Sequence, residues 1–295
     1  EWESGNEENI YRLQTLDGAD RVFRSLSRVK KPLVVGASFI SLEFLEILLF
    51  NKTPPKLIVR DTHFFSRMLD RSGAELLHQN FARKGIVAEY GNEVTGIGYE
   101  NGTLQIKRKT PEDIGADAVF LGIGITRNLE FLQGSQILLG DNGIATDQFL
   151  ETNIKGVFAS GDVAEYFDVI AEKQRTVGNW TSAFLQGKTA GLNMVGKQIS
   201  FSALPTYSIT NLGFQITALG DTDNALENVI CLDSLRNRYA RFFFRGNMLA
   251  GVFLINRFRD KAHLSRIIES RSLIGDWRKK LVDPLFDIQT ISVLQ

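Results

Sequence analysis

The stretch of sequence that decides the fold is residues 32–59, PLVVGASFISLEFLEILLFNKTPPKLIV. A short apolar run, Pro32–Val35, leads through a turn at Gly36 into residues 42–49, which are apolar on most faces of a helix. Two prolines end this helix, and a second apolar run, Lys56–Val59, follows. A strand, a tight turn, a helix and a second strand within about 30 residues predict one parallel βαβ unit.

The sequence on either side of this unit repeats the alternation of strand and helix. We expect helices at 17–28, capped by Asp17, and at 72–84, ended by Gly85, a third parallel strand at 86–89, a hairpin turn at Asn101-Gly102 and a strand at 116–122. Alternating strands and helices of this length are typical of a doubly wound α/β sheet. Residues 31–126 are therefore predicted to form a Rossmann-type dinucleotide-binding domain.

The second half of the chain carries a different pattern. We expect a helix from Asn179 to Met194, strands at 206–209, 239–244 and 250–255, and helices at 261–269 and 274–280. Strands followed by helices predict an α+β domain, here residues 198–295. The aromatic run Phe242-Phe243-Phe244 is interpreted as a core or interface strand, with a protein-docking surface as the alternative.

Composition excludes several classes of protein. The 295 residues hold 34 basic and 34 acidic side chains, so no net charge attracts the chain to nucleic acid or to an anionic membrane. No apolar run approaches the roughly 20 residues of a membrane helix, and residues 1–8 carry no signal-peptide pattern. One cysteine, Cys231, excludes an internal disulfide and a thiolate metal site, and the three histidines lack metal-ligand spacing. We expect a cytoplasmic protein without a metal.

A second segment, residues 152–163 with the sequence TNIKGVFASGDV, indicates a ligand site. Its apolar run 157–159 is expected to be a strand with both faces covered, and Ser160-Gly161 is expected to turn the chain after it. Asp162 then lies exposed at the C-terminal end of a strand, where open α/β sheets bind ligands. A Gly-Asp pair by itself also occurs in ordinary turns, so the interpretation depends on the length of the segment.

The 152–163 segment resembles the second flavin motif of flavoproteins that have two dinucleotide-binding domains. The order of motifs makes the chain similar, over roughly residues 10–255, to the pyridine nucleotide oxidoreductases that depend on NAD(P)H and FAD. The resemblance is greatest to the ferredoxin or rubredoxin reductase branch and the nitrite-reductase-like branch. It implies an α/β fold in which a Rossmann-type NAD(P)H-binding domain is inserted into an FAD-binding domain whose N-terminal lobe this chain lacks.

This resemblance divides the chain into four expected regions. Residues 1–30 are a connecting helix that remains from the FAD domain, and residues 31–126 are the NAD(P)H-binding domain. Residues 127–197 are the C-terminal half of the FAD-binding domain. Residues 198–295 are an α+β domain that serves as an interface or dimerisation domain.

The resemblance also implies NAD(P)H-binding residues in the turn after the first strand. The three glycine positions of the nucleotide-binding fingerprint fall on Gly36, Ser38 and Ser41, with Phe39 and Ile40 between the last two. Ser41 departs from the pattern. We expect its hydroxymethyl group to displace the start of the helix and to weaken the binding of pyrophosphate.

Three further residues carry implied roles in the same domain. Glu43 matches the acid that lies near the nicotinamide in these enzymes, and a solvated helix carboxylate is the alternative. Gly122 and Gly124 match the crossover from the NAD(P)H domain to the flavin domain. Two glycines at the exit of a strand can also merely turn the chain.

The choice between NADH and NADPH is left open by the residues after the second strand of the βαβ unit. Arg60 favours a 2′-phosphate on the adenosine ribose, whereas the neighbouring Asp61 suits free ribose hydroxyls. Of the two, we expect Arg60 to select the coenzyme, because it stands at the end of the strand. Arg67 serves the same pocket or pairs with Asp70.

The implied FAD site lies in the second half of the chain. Asp162, after Gly161, matches the acid that accepts a hydrogen bond from the ribityl chain of FAD. Asn179 and Trp180 open a helix whose N-terminus points at the flavin pyrimidine carbonyl, where it stabilises negative charge on the reduced ring. Trp180 stacks at the edge of the flavin or is a core tryptophan.

The expected function is the transfer of hydride from NAD(P)H to FAD, followed by transfer of electrons to a redox protein or a small-molecule acceptor. No catalytic nucleophile is required, and the chain by itself is expected to be inactive if the first FAD-binding lobe is absent. The alternatives are a non-catalytic NAD(P)H-binding module and an interaction subunit that forms a homodimer through its C-terminal domain. No nucleic acid or membrane partner is expected.

Overall fold

The computed structural model describes residues 7–100 and 102–292. Residues 1–6, at the start of the chain, and Asn101, in the expected hairpin turn, lie outside the described residues. The chain divides into two compact units. Unit 1 comprises Glu1–Gly124 with Thr210–Phe214, and unit 2 comprises Ile125–Ile209 with Gln215–Gln295.

Unit 1 is built on a parallel sheet. Its elements are β1 (Ile10–Tyr11), α1 (Leu16–Ser25), β2 (Pro32–Val35), α2 (Phe39–Phe50), β3 (Lys56–Val59), α3 (Arg71–Arg83), β4 (Val87–Tyr90), β5 (Val94–Glu100), β6 (Thr103–Arg108), β7 (Ile114–Ala116) and β8 (Ala118–Leu121). Five strands pair in the order β1-β8-β2-β3-β4, and every pairing is parallel. The βαβ unit and the third parallel strand are therefore confirmed, and a Rossmann-type sheet is present.

Two boundaries of unit 1 differ from the prediction. The strand expected at 116–122 is shorter, at Ala118–Leu121, and Ala116 belongs to the preceding strand β7. Between the two strands, Asp117 accepts hydrogen bonds from Lys30 N at 2.7 Å and Lys31 N at 2.9 Å. These bonds hold the chain as it passes from the antiparallel sheet β5-β6-β7 into the parallel sheet. Asp17 does not cap α1. Thr15 does, since its hydroxyl accepts from Gly18 N at 3.0 Å.

Unit 2 contains one three-stranded sheet, β11-β10-β9, and most of a five-stranded sheet. Its elements are β9 (Ile144–Ala145), β10 (Ala164–Asp168), β11 (Lys173–Arg175), α4 (Trp180–Met194), β12 (Thr206–Asn211), β13 (Phe214–Gly220), β14 (Glu227–Asp233), β15 (Arg238–Arg245), β16 (Met248–Ile255), α5 (Lys261–Glu269) and α6 (Arg278–Leu281). The last five strands pair in the order β12-β13-β16-β15-β14. The pairs β13–β16, β16–β15 and β15–β14 are antiparallel. The helix expected at 274–280 is shorter than predicted, because a 3₁₀ turn, Gly275–Trp277, precedes the four residues of α6.

The prediction of a strand at 157–159 is wrong. In the described chain this segment forms a single antiparallel bridge, between Phe158 and Glu151, and Val157 is 36% exposed. Thr152 N donates to Val157 O at 2.8 Å, so a tight local loop satisfies the backbone that a sheet strand would offer to its neighbours. The strand next to the Gly-Asp pair is β10, which follows it.

The aromatic run Phe242-Phe243-Phe244 is buried, so its alternative as a docking surface is wrong. The run lies in β15, which has β16 on one side and β14 on the other. Phe242 and Phe244 pack in one cluster with Leu264 and Ile267 of α5, which covers that face of the sheet. Among the described residues, no helix is both long and apolar enough to cross a membrane.

The first prediction concerns Phe120 of β8, which is fully buried between Tyr11 and Phe44 at ring-centroid distances of 5.0 and 5.2 Å. Phe120→Ala should lower the free energy of unfolding by about 3–5 kcal/mol, because it removes apolar burial and leaves a cavity. Phe50, at the end of α2, is 92% exposed, and Phe50→Ala should change the same free energy by less than about 0.5 kcal/mol. Urea unfolding followed by circular dichroism measures both, and equal losses would contradict the packing described.

Candidate nucleotide-binding sites

An open cleft of about 560 Å³ lies at the carboxyl edge of the parallel sheet of unit 1. It is lined mainly by residues that follow β2, β3, β4 and β8, and its volume lies within the range of small-molecule sites. Eight of the residues predicted from the sequence line it: Gly36, Ser38, Phe39, Arg60, Asp61, Arg67, Gly122 and Gly124. The structure therefore brings most of the expected NAD(P)H-binding residues together around one cleft.

The turn after β2 requires glycine for two reasons. Gly36 has a φ of +112°, in the region that favours glycine. A Cβ at this position would lie 2.3 Å from Gly122 O, because the ends of β2 and β8 touch there. The chain passes from this turn directly into α2, which begins at Phe39.

Ser41 fits at the third fingerprint position without displacing the helix. Its hydroxyl donates to Gly122 O at 3.2 Å and accepts from Ser38 N at 3.3 Å. Ser38 in turn caps α2 by accepting from Ser41 N at 3.3 Å. The expected displacement is therefore wrong, because α2 begins at Phe39 and Gly122, which has no Cβ, leaves room for the hydroxyl.

Ile40 and Glu43 lie on α2 outside the lining of the cleft as the structure describes it. Burial, and to a smaller extent the carboxylate of Glu46, raises the pKa of the half-buried Glu43. Glu46 itself accepts from Asn211 Nδ2 at 2.5 Å and from Leu212 N at 2.8 Å, in the hairpin tip that belongs to unit 1. A role of Glu43 near the nicotinamide stays a prediction.

Asp61, after β3, is a fixed anionic group on the wall of the cleft. Ser66 Oγ donates to Asp61 Oδ2 at 2.5 Å, and this bond is the largest of the effects that hold the pKa of the carboxyl below its usual value. Gly91 N donates to Asp61 O at 2.9 Å and fixes the backbone. Arg60 contacts Asp61 through Nε at 3.5 Å, but its side chain is 65% exposed.

The sequence patterns did not indicate every residue of the cleft, and Phe65, Ser66 and Asn92 are among those left out. Phe65 is buried with a φ of +54°, and a bulky residue in the left-handed region is an outlier that often accompanies a ligand site. Its ring lies 4.7 Å from that of Phe39, centroid to centroid. Asn92 follows β4 much as Asp61 follows β3, so inspection of the residues after every parallel strand would have found it.

In unit 2, the Gly161-Asp162 turn is held against the start of α4. Gly161 has a φ of +82°, and its N–H donates to Gln186 Oε1 at 2.8 Å. Gln186 is fully buried and donates through Nε2 to Ser182 Oγ at 3.0 Å. Arg127 Nε donates to Asp162 O, which leaves the exposed Asp162 carboxylate available at the surface of the unit.

Asn179 caps α4, since its side-chain oxygen accepts from Ser182 N at 2.8 Å. The next residue, Trp180, is 94% exposed, so the alternative of a core tryptophan is wrong. Within the described ranges, no group of three or more His, Cys, Asp or Glu side chains is arranged to hold a metal ion.

A parallel α/β sheet with a nucleotide-sized cleft at its carboxyl edge defines the class of dinucleotide-binding proteins. The family model described as pyridine nucleotide-disulphide oxidoreductase matches residues 3–187, and the chain belongs to that family. Members of the family bind FAD and use NAD(P)H.

Individual proteins similar to the chain are longer than it is. Human apoptosis-inducing factor 3 is 26% identical over 253 residues, which are 84% of this chain and 42% of that protein. The NADH-rubredoxin oxidoreductase of Clostridium acetobutylicum is 24% identical over 89% of this chain and 64% of its own length. The chain thus spans about half of the length of these relatives. The crystal structure of the ferredoxin reductase for the CYP199A2 system from Rhodopseudomonas palustris shares the fold, with a TM-score of 0.84 at 20% identity over 95% of this chain and 69% of that one.

The second prediction tests the contact between Ser41 and Gly122. A Cβ at residue 122 would lie 2.1 Å from Ser41 Oγ and 2.8 Å from Ser41 N. Gly122→Ala should therefore lower the free energy of unfolding by about 1–3 kcal/mol. Because Ser41→Gly removes the first of these clashes, the double variant should be less destabilised than the sum of the single variants by at least about 0.5 kcal/mol.

Gly98→Ala in β5 is the matched control, since the nearest atom to its added Cβ within the described residues is Gln105 O at 4.0 Å. Its effect should be additive with Ser41→Gly. Urea denaturation of all five variants gives these free energies. Strict additivity of Gly122→Ala with Ser41→Gly would show that the two positions are not coupled.

Proposed function

We propose that the chain is the coenzyme-binding part of an FAD-dependent oxidoreductase that passes hydride from NAD(P)H to FAD and electrons on to an acceptor. The observation that carries this proposal is the cleft of unit 1, where the residues after four parallel strands converge. Membership of the family supports the cofactor pair. When bound, FAD supplies the redox chemistry, because it accepts hydride and releases electrons.

The donor set of the cleft suits an extended, anionic dinucleotide. The N-terminus of α2 at Ser38 favours the negative charge of a pyrophosphate, and the Gly36 turn lets it approach the backbone closely. In the Ser38–Ser41 capping box, Ser41 N donates to Ser38 Oγ. This chain therefore has fewer free N–H donors for the pyrophosphate than a helix start without a capping box. The guanidinium groups of Arg60 and Arg67 add positive charge on the same wall.

The residues of unit 2 suit one part of a flavin. The exposed Asp162 carboxylate can accept from a ribityl hydroxyl, and the Gly161 turn beside it is already fixed by Gln186. The N-terminus of the 15-residue helix α4 offers a positive dipole end beside that turn. Trp180, exposed at that end, offers an aromatic face. These residues bind and orient one end of the cofactor, and none of them acts as a nucleophile.

A small redox protein is the proposed electron acceptor. The support comes from similar proteins, one named an NADH-rubredoxin oxidoreductase and another a ferredoxin reductase. The four-region division of the chain, a homodimer formed through residues 198–295 and a cytoplasmic location belong to the same proposal. The buried, free thiol of Cys231 is consistent with a reducing compartment.

The third prediction tests the cofactor assignment on the 295-residue chain. NADH should bind with a dissociation constant in the micromolar range or below, because its cleft lies within unit 1. FAD should bind at least about tenfold more weakly, because Asp162 and the start of α4 supply one part of a flavin site. Fluorescence titration with each cofactor measures both constants. Tight binding of FAD without binding of NADH or NADPH would contradict the assignment.

A non-catalytic NAD(P)H-binding module is the second candidate, and the self-contained cleft of unit 1 favours it. The absorbance of flavin in the protein purified from its source separates the two functions. Protein that contains no flavin at any stage, yet binds NADH, would support the module and would oppose the oxidoreductase.

The fourth prediction concerns the choice of coenzyme, and we propose that Asp61 selects NADH. Its carboxylate is ionised and fixed by Ser66, so it accepts from ribose hydroxyls and repels a 2′-phosphate. Asp61→Asn keeps the shape but removes the charge. It should shift the ratio of the NADH and NADPH dissociation constants toward NADPH by about 1.5–3 kcal/mol, roughly tenfold to a hundredfold.

Arg60→Gln is the control for that experiment. The Arg60 side chain is exposed, so its loss should weaken the binding of NADPH by no more than about fivefold and leave the affinity for NADH within about twofold. An unchanged ratio in Asp61→Asn combined with a large change in Arg60→Gln would make Arg60 the selecting residue.

A further inference from the structure

One polar group of the cleft in unit 1 has an unmet hydrogen-bonding requirement. Asn92 lines the cleft and is only 2% exposed. Its side-chain oxygen, Oδ1, is buried and has no hydrogen-bond partner among the described residues. Buried amide oxygens are nearly always paired in folded proteins, so an unpaired one beside a ligand-sized cleft indicates a place for a hydrogen-bond donor from outside the chain.

The orientation of this amide is fixed by its other end. Asn92 Nδ2 donates to Glu89 Oε1 at 2.5 Å and to Thr110 Oγ1 at 2.9 Å. Glu89 is in turn held by Arg108, whose Nη1 lies 2.6 Å from Oε2. If the amide turned over, Oδ1 would face a carboxylate oxygen, and two acceptors repel each other. Asn92 therefore presents an acceptor, and not a donor, on its other side.

The order of the strands shows which part of a dinucleotide meets Asn92. Along the carboxyl edge, β2, β3 and β4 are consecutive neighbours. The residues after β2 include Gly36, at the proposed pyrophosphate position, and Asp61 follows β3 at the proposed ribose position. Asn92 follows β4, and its N–H donates to Val59 O at 3.2 Å, next to the end of β3. The next group of an extended coenzyme beyond the ribose is the adenine base.

We infer that Asn92 recognises the adenine base of the coenzyme, with Oδ1 accepting a hydrogen bond from the 6-amino group. This inference rests on the proposed function, because it concerns the same cleft. The oxygen is covered in the chain by itself, so a neighbouring group must move before the base can reach it. Arg60 and Arg67 are long, exposed side chains on the wall of the cleft.

The inference makes Asn92 a specificity-determining residue. A purine that carries a carbonyl group at position 6, such as hypoxanthine, would place an acceptor against the Asn92 oxygen. Because the Glu89 and Thr110 contacts stop the amide from turning over, the mismatch is not relieved by a flip. A site built around a buried hydrogen-bonding group rejects the analogue that leaves this group unpaired.

The test compares two reduced coenzymes on the full 295-residue chain, NADH and its analogue with hypoxanthine in place of adenine. Equilibrium titration by nicotinamide fluorescence gives both dissociation constants, and no turnover is needed. The unmodified chain should bind the analogue at least tenfold more weakly than NADH. In Asn92→Ala, NADH should bind about tenfold more weakly than in the unmodified chain, and the ratio between the two coenzymes should fall to within about twofold of one.

Asn80→Ala is the matched control variant. Asn80 on α3 also has a buried side-chain oxygen without a partner among the described residues, but it lies outside the lining of the cleft. This variant should keep the tenfold discrimination. Circular dichroism establishes that each variant is folded, and the comparison of the two coenzymes on the unmodified chain needs no variant.

The outcomes separate this inference from the proposed function. Equal binding of both coenzymes by the unmodified chain would overturn the role of Asn92 and leave NAD(P)H binding intact. Discrimination that persists in a folded Asn92→Ala would also overturn it, because another group would then recognise the base. If neither coenzyme binds at millimolar concentration, the proposed function fails, and this inference fails with it.

Discussion

The cleft of unit 1 depends on the close approach of two backbone segments, the turn after β2 and the end of β8. A Cβ at Gly36 would lie 2.3 Å from Gly122 O, and a Cβ at Gly122 would lie 2.1 Å from Ser41 Oγ. The space that Gly122 leaves is filled by the Ser41 hydroxyl, which bonds to the carbonyl of the same residue. One glycine pair and one serine thus set where α2 begins, and the start of α2 sets where an anionic ligand can meet backbone N–H groups.

Much of this architecture could be predicted from the sequence, because it follows from local patterns. The apolar runs at Pro32–Val35 and Lys56–Val59 each form a strand buried on both faces, and such runs are what parallel sheets require. Three caps agree with the residue types found there, at Ser38, Asp70 and Asn179. Eight residues of the cleft could likewise be predicted from the sequence, because the carboxyl ends of parallel strands meet at one edge of the sheet.

The parts that could not be predicted depend on contacts between residues distant in the chain. Ser41 seemed incompatible with the fingerprint when considered alone, whereas its partner Gly122 is 81 residues away. The run at 157–159 has the composition of a buried strand, yet its backbone pairs locally with residues 150–152. Whether a segment forms a strand depends on the segments that pack beside it, and the strand propensity of its own residues carries no information about them. The place of Asn92 after β4 could have been found from the strand pattern, whereas its unpaired oxygen becomes visible only when all of its neighbours are known.

Three groups at the two candidate sites share one physical feature, which is that at least one other side chain fixes each of them. Ser66 holds Asp61, Glu89 and Thr110 hold Asn92, and Gln186 holds the backbone of Gly161. Groups that are already oriented lose little conformational freedom when a ligand binds, so more of the interaction energy appears as affinity. The exposed arginines Arg60 and Arg67 contrast with these groups. Under the proposed function these arginines would attract a phosphate over a distance but lose rotamer freedom on contact, so they would assist binding while the fixed acceptors would determine which nucleotide is bound.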